Sequence, residues 1–410
     1  MLLVGIDWAD KEHVYCLMDE VGTTLSTGTI EHTAEGLEHF VNTVRARAQR
    51  PGDVLVALET SHGPLVGALL EHGFTVYALN PKTVERNRER FRMSGAKSDL
   101  RDAWVLATML RTDRHLYRAI RPDSELAQEL RALTRDRADL VRTRTMLSNQ
   151  LTTCLKTYFP EFLTLFADPD RPVALALLQA FPTRDRLQAA SQGELESFLR
   201  RHHCPHSRER ASAIYQGLQG PTFHITPPVV RAKARLASTL VAQLQTLATH
   251  IDAYDREIRR VLRLHPDGEL YRSLPGAGAT LAARMVGELG DNRDRYQDPT
   301  IAQCEAGTAP VTRTSANTRI VHFRRACIHP LRDTLWQFAF SSMRHCPWAR
   351  AYYDHARKRG KKHAEAVRML GNVWLRIIIA LRRTSQLYDE AVFLQARSRH
   401  VPAAPVMVCG

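Results

Sequence analysis

The sequence predicts an α/β N-terminal domain, a pair of long helices behind it, and a mainly α-helical C-terminal domain. Three observations predict it. Continuous apolar stretches alternate with helical patterns over residues 1–115, Leu recurs at a 3-4 spacing over residues 124–158 and 229–262, and helical patterns resume after residue 263 around one polar, basic loop.

The elements follow in order. LLVGIDWA reads as a buried strand. HVYCLMDE and TTLSTGTIEH continue it as a meander, with turn residues between them. AEGLEHFVNTVRARA is an amphipathic helix ended by Pro51-Gly52. VLVALETS is a continuous apolar strand, as expected at the centre of a sheet. GPLVGALLEHG is a helix with Gly73 at its C′ position, and TVYALNP is a further core strand. A meander followed by alternating helices and strands predicts a mixed sheet with helices on its faces. In SGAKSDLRDAWVLATML, Ser98 or Asp99 can cap a helix.

The first long helix carries Leu126, Leu130, Leu133, Leu140, Leu147, Leu151 and Cys154, with Arg137 and Arg144 at two seam positions. The second carries Leu240, Leu244, Leu247, Ile251, Tyr254 and Ile258. Such a pair forms an antiparallel coiled-coil hairpin or a dimerising coiled coil. The expected domains are 1–115, the α/β domain; 116–262, the long helices with a weakly helical insertion at about 160–227; 263–395, the C-terminal domain; and 396–410, a flexible tail. In the third of these, SLPGAGATLAARMVGELGD is a Gly turn entering a helix. TAPVTRTSANTRIVHFRRA reads as a loop, and LRDTLWQFAFSSMRH and KHAEAVRMLGNVWLRIIIALRRT read as helices.

Composition narrows the class. Apolar residues make up 44% and charged residues 24%, a globular balance, and no apolar run approaches the roughly 20 residues of a membrane span. MLLVGIDWADKEH lacks a basic n-region and a cleavage site, so no signal peptide is expected, and the expected location is cytoplasmic. Seven Cys without a CxxC suit reduced thiols. HHCPH at 202–206 has no second ligand pair at zinc-finger spacing and reads as surface histidines. Residues 311–390 hold sixteen Lys and Arg against five Asp and Glu, +11 of the chain's +14. That basic block, with aromatics inside it, points to a nucleic-acid partner.

Against that charge, the acids stand out. Asp7 and Glu59 close apolar strands, where a carboxylate is costly unless paired or metal-bound. Asp99 and Asp102 are three apart on one helix face. Singly, each has a plain reading: Asp7 as a turn cap, Glu59 as an Arg partner, the two helix acids as complements of the macrodipole. Four carboxylates at one sheet edge would repel unless divalent cations joined them. Mg²⁺ prefers such oxygens, and two metals about 4 Å apart can clamp a phosphodiester displacement.

GIDWADKEH, ALETS and AKSDLRDA resemble the Asp-Glu-Asp-Asp motifs of the IS110 family of insertion-sequence transposases. SLPGAGATLAARMVGELGD and AYYDHARKRGKKHAEAVRML resemble the opening and end of that family's second domain. The resemblance implies a RuvC-like, ribonuclease-H-like N-terminal domain with Mg²⁺, or Mn²⁺, on Asp7, Glu59, Asp99 and Asp102. It implies a nucleophilic serine after an Ala-Pro pair, here Ser315 after Ala309-Pro310, which would join covalently to DNA. Ala316 stands where the family commonly has Gly, and Cys327–Pro330 stand where it tends to show Gly-Asn. Arg313, Arg319, Arg324, Arg325, Arg332, Lys361 and Lys362 are the expected nucleic-acid contacts. The implied partners are element-end and target DNA, a structured bridge RNA, and further copies of the chain as a dimer or tetramer. The rival functions are a junction-cutting nuclease without a covalent step and a non-catalytic nucleic-acid scaffold.

Overall fold

The computed structural model describes residues 1–61, 63–91, 98–315 and 318–400. The chain divides into two units, Met1–Pro122 and Asp123–Gly410.

The first unit is built on a mixed five-stranded sheet: β1 (Leu2–Asp7), β2 (Glu12–Met18), β3 (Thr24–Glu31), β4 (Val54–Leu58) and β5 (Thr75–Ala78), in the order β3-β2-β1-β4-β5. The β1-β2 and β2-β3 pairs are antiparallel, and the β1-β4 and β4-β5 pairs are parallel. The central strands are apolar at every step because both faces are covered. Helices α1 (Ala34–Arg45) and α2 (Pro64–Glu71) pack on the side of Val4, Ile6, Val56 and Leu58. Helices α3 (Pro81–Phe91) and α4 (Asp99–Asp113) cover the side of Leu3, Leu55 and Ala57. Gly73 follows α2 at φ 81°, the left-handed turn that its position predicts. The charge-rich α3 was not expected. Past α4 the chain returns to the β5 edge, where Ile120 N–H donates to Val76 O at 2.6 Å.

In the second unit α5 (Glu125–Tyr158) and α11 (Pro227–Leu264) run antiparallel. Cys154 Sγ meets the Lys233 carbonyl near one end, and Arg137 holds Asp255 through two hydrogen bonds of 2.7 and 2.8 Å towards the other. Each end of the pair enters a different core. At the far end are α6 (Glu161–Leu165), α7 (Pro172–Ala180), α8 (Arg184–Gln188), α9 (Gln192–Arg201) and α10 (Ser207–Gly217), gathered on Phe159, Phe162 and Phe166. The weakly helical insertion is therefore a helical subdomain with an aromatic centre.

At the near end are α12 (Gly268–Arg272), α13 (Ala279–Leu289), α14 (Pro299–Glu305), α15 (His329–Ser342), α16 (Pro347–Lys358) and α17 (His363–Thr384), packed around Trp374, Phe338 and Tyr271, with α18 (Glu390–His400) beyond them. The expected basic loop is instead a two-stranded antiparallel ribbon, β6 (Val311–Ser315) and β7 (Thr318–His322). Exposed residues on both of its faces leave no apolar alternation to read. The expected flexible tail, 396–410, overlaps the end of α18, and residues 401–410 lie outside the described residues.

Candidate functional site

Strands β1 and β4 run parallel with Leu3 opposite Leu55 and Gly5 opposite Ala57. The pairing ends there; Asp7, two residues on, closes β1, and Glu59, two residues on, is the first residue after β4. Parallel partners share a face, and alternate residues of one strand do too. Leu3, Leu55 and Ala57 face α4, and alternation along β1 puts Asp7 on that same face, at the strand end beside which Glu59 leaves β4. Gly5 makes this possible. A Cβ there would lie 1.9 Å from the Ala103 carbonyl oxygen and 2.5 Å from Ala107 N, so α4 rests directly on the β1 backbone.

The first turn of α4 carries the other two acids. Ser98 caps it, its Oγ accepting from Arg101 N–H at 3.3 Å. Asp99 is exposed, whereas Asp102, one residue before the contact at Ala103, is 2% exposed. Arg88 of α3 reaches it, with Nε 2.6 Å from Asp102 Oδ1. The approach is close but misaligned, and neither atom has a hydrogen-bond partner among the described residues. Among the described residues no group of three or more His, Cys, Asp or Glu is drawn together as a metal cage. Ser94, Gly95 and Ala96, before the α4 acids, lie outside the described residues.

His13 and Arg88 were not among the expected site residues. His13, in β2, is fully buried. Its Nδ1 accepts from Ala9 N–H at 3.2 Å and its Nε2 lies 2.9 Å from His32 Nδ1. With Nδ1 accepting, the neutral ring carries its proton on Nε2 and donates to His32. Burial first, then the charge of His32, lower the pKa of His13. The ring thereby ties down the turn that follows Asp7. Inward alternation along β2 could have flagged it. Nothing in KTVERNRERF sets Arg88 apart from its charged neighbours.

In the second unit Ser315 is exposed at the end of β6, opposite Thr318. The register places Ser315, Arg313 and Ile320 on one face of the ribbon, and Thr314, Arg319, Thr312 and Val321 on the other. Ala316 and Asn317, between the strands, lie outside the described residues. Arg325 is exposed, as are Arg313 and Arg319. Arg324 is half-buried and donates to the Ala309 carbonyl at 3.2 Å. Arg332 approaches Asp333 at 3.5 Å, Lys361 pairs with Glu365 at 2.8 Å, and Lys362 stays exposed at the cap of α17. The Gly turn before α13 is fastened to α15 by Ser341 Oγ, which donates to the Gly276 carbonyl at 2.9 Å.

Among the described residues no helix is long and apolar enough to cross a membrane. Residues 4–160 match a DEDD transposase family, and residues 268–354 match the family described as transposase IS116/IS110/IS902. A mini-circle protein of Streptomyces coelicolor, described as a transposase for IS117, is 32% identical over 392 residues, 94% of this chain and 95% of that one. The 44.8 kDa protein of insertion element IS116 from Streptomyces clavuligerus is 29% identical over 390 residues, 95% of this chain and 96% of its own. The 42 kDa protein of IS900 from Mycobacterium paratuberculosis is 26% identical, over 94% and 97%. A mixed sheet with acids at its strand ends, a second unit that carries a basic ribbon, and relatives matched nearly end to end agree: the chain belongs to the IS110 family of insertion-sequence transposases.

Proposed function

We propose that this transposase is a DNA recombinase that cuts and rejoins element ends and target DNA through a covalent bond to Ser315. In this reading Asp7, Glu59, Asp99 and Asp102 hold Mg²⁺ or Mn²⁺, a structured guide RNA selects the DNA, and several copies of the chain act together. The register of β1 and β4 supports the reading, because it pairs Gly5 with Ala57, each two residues before a strand-end carboxylate, on the side covered by α4. The donor set suits a hard divalent cation. Asp102 fits it further: its buried Oδ1 lacks a hydrogen-bond donor and faces the Arg88 guanidinium. Bound metal would supply charge neutralisation at the phosphate under attack.

The remaining chemistry falls to the chain. The Ser315 hydroxyl, exposed and on the Arg313 face, is placed to meet a phosphate whose charge Arg313 offsets. Its oxygen forms the new bond to phosphorus and gives up a proton, while the departing sugar oxygen takes one up. The phosphodiester energy stays in the seryl bond, so a second sugar hydroxyl can reverse the exchange without an external energy source.

Labelled element-end DNA incubated with protein, Mg²⁺ and flanking RNA tests this. A protein–DNA adduct is expected, and Ser315→Ala should lose both adduct and cleavage. Thr314→Ala, on the opposite face of the ribbon, should keep both. Cleavage by Ser315→Ala within a few-fold of the unsubstituted protein would assign the chain to hydrolytic nucleases instead.

A further inference from the structure

At the foot of the ribbon a cavity of about 190 Å³ opens between the residue after β7 and helices α15 and α17. Leu335, Val367 and Gly371 form its apolar wall, and Thr308, Arg332 and Asp333 add polar atoms, with Arg332 3.5 Å from the Asp333 carboxylate and Arg368 the second arginine. Its mouth is aromatic. Phe323 is 44% exposed and Trp336 38%. Both rings are held by neighbours. The Arg368 guanidinium lies 4.6 Å from the Phe323 centroid, and Trp336 stacks on Phe340 at 5.5 Å with 2° between the planes. An open apolar slot, two fixed ring faces and two arginines, inside the block carrying most of the chain's net charge, suit a flat ring system on an anionic backbone.

We infer that this cavity receives one unpaired base of single-stranded DNA, on the strand whose phosphate meets Ser315. The choice of strand rests on the recombinase reading above. The choice of DNA rests on continuity: Phe323 directly follows β7, and β7 pairs with the strand that ends on Ser315. Five residues of strand put the two points roughly 17 Å apart, a few nucleotides of the same strand. Stacking is indifferent to base identity, so the pocket would set where the strand leaves the duplex rather than which sequence is read.

The test uses full-length protein carrying Ser315→Ala, so that nothing is cut, and a ten-nucleotide DNA oligomer containing 2-aminopurine. Trp336→Ala and Phe323→Ala should each weaken binding roughly tenfold and relieve the quenching of the probe. The slope of affinity against salt should not change, because no phosphate contact is lost. Trp336→Phe should restore binding, and circular dichroism should show all variants folded. Unchanged affinity, a salt slope that falls together with affinity, or a loss confined to the same oligomer made as RNA would each overturn the inference. The seryl reading fails separately, by absence of an adduct in the unsubstituted protein.

Discussion

At the scale of single residues, the N-terminal edge is governed by one compensated charge and one buried imidazole. Asp102 is almost wholly enclosed, and Arg88 is the cation it faces. Removing one member of a buried pair strands the other, which costs about 3 kcal/mol. Arg88→Ala should therefore lower stability in EDTA by about that amount, measured by urea unfolding, and added Mg²⁺ should recover part of it. Equal urea midpoints for variant and parent in EDTA would mean that Arg88 does not balance Asp102. His13 gives a pH dependence of defined sign. Its folded pKa is lowered by burial and by His32, so the unfolded chain takes up a proton first as pH falls. The stability due to this group is full above its ordinary value of about 6.5 and is lost as pH drops from there towards the folded value. The urea midpoint should fall between pH 7 and the lowered value, and His13→Gln should flatten that fall. Matching pH slopes in the two proteins would remove His13 as the cause.

At the scale of elements, the Arg137–Asp255 clamp is a bidentate polar tie between the two long helices. Burial raises the Asp255 pKa, but hydrogen bonds from Arg137 and Thr280 outweigh it and the net shift is downward. Its contribution is present above about pH 4 and lost as pH falls through the lowered folded value. Arg137→Met keeps the stem and removes the guanidinium, so a loss of about 1.5 kcal/mol in thermal or urea unfolding is expected at neutral pH. A variant as stable as the parent would show the clamp to be incidental. The seam arginine was visible in the sequence as an interruption of the Leu spacing; its partner was not, since Asp255 lies 118 residues away. The same division runs through the fold. Strands β1, β4 and β5 are legible because a sheet covered on both faces demands unbroken apolar runs. The acids are legible because charge at the end of such a run is conspicuous. The β6–β7 ribbon is not, because a pair with no covered face imposes no pattern. Helix α3 is obscured because Val84 is its one apolar residue between Lys82 and Arg90, and the exposed mouth formed by Phe323 and Trp336 looks in sequence like ordinary core.

At the scale of the whole molecule, basic and acidic chemistry are segregated. The candidate metal ligands sit in the first unit, and most of the net positive charge sits in the second. In the second unit α5 and α11 border a groove of about 660 Å³ flanked by Met146, 53% exposed, and Leu236, 45% exposed. In the recombinase reading, exchange between two duplexes requires more than one copy of the chain, and this groove, with Met146 and Leu236 exposed among polar neighbours, is the face on which a second copy is expected to dock. Light scattering should give at least a dimer with nucleic acid bound. Met146→Glu combined with Leu236→Glu should reduce it to a monomer while leaving the helical signal intact. A persistent dimer would place the interface elsewhere.

The two separated cores of the second unit have a mechanical consequence. Helix α11 has 38 residues, about 57 Å at the α-helical rise, and it is anchored in one core at each end. Between those anchors few side chains are enclosed, none of them on α5 from Arg135 to Gln150, so bending of the pair there would disturb neither core. From the Arg137–Asp255 clamp to the start of α11 is 28 residues, about 42 Å, so a tilt of about 5° there would carry the far end of the pair through roughly 4 Å. Such a movement would let a contact made at one end be felt at the ribbon bearing Ser315 without unfolding either core.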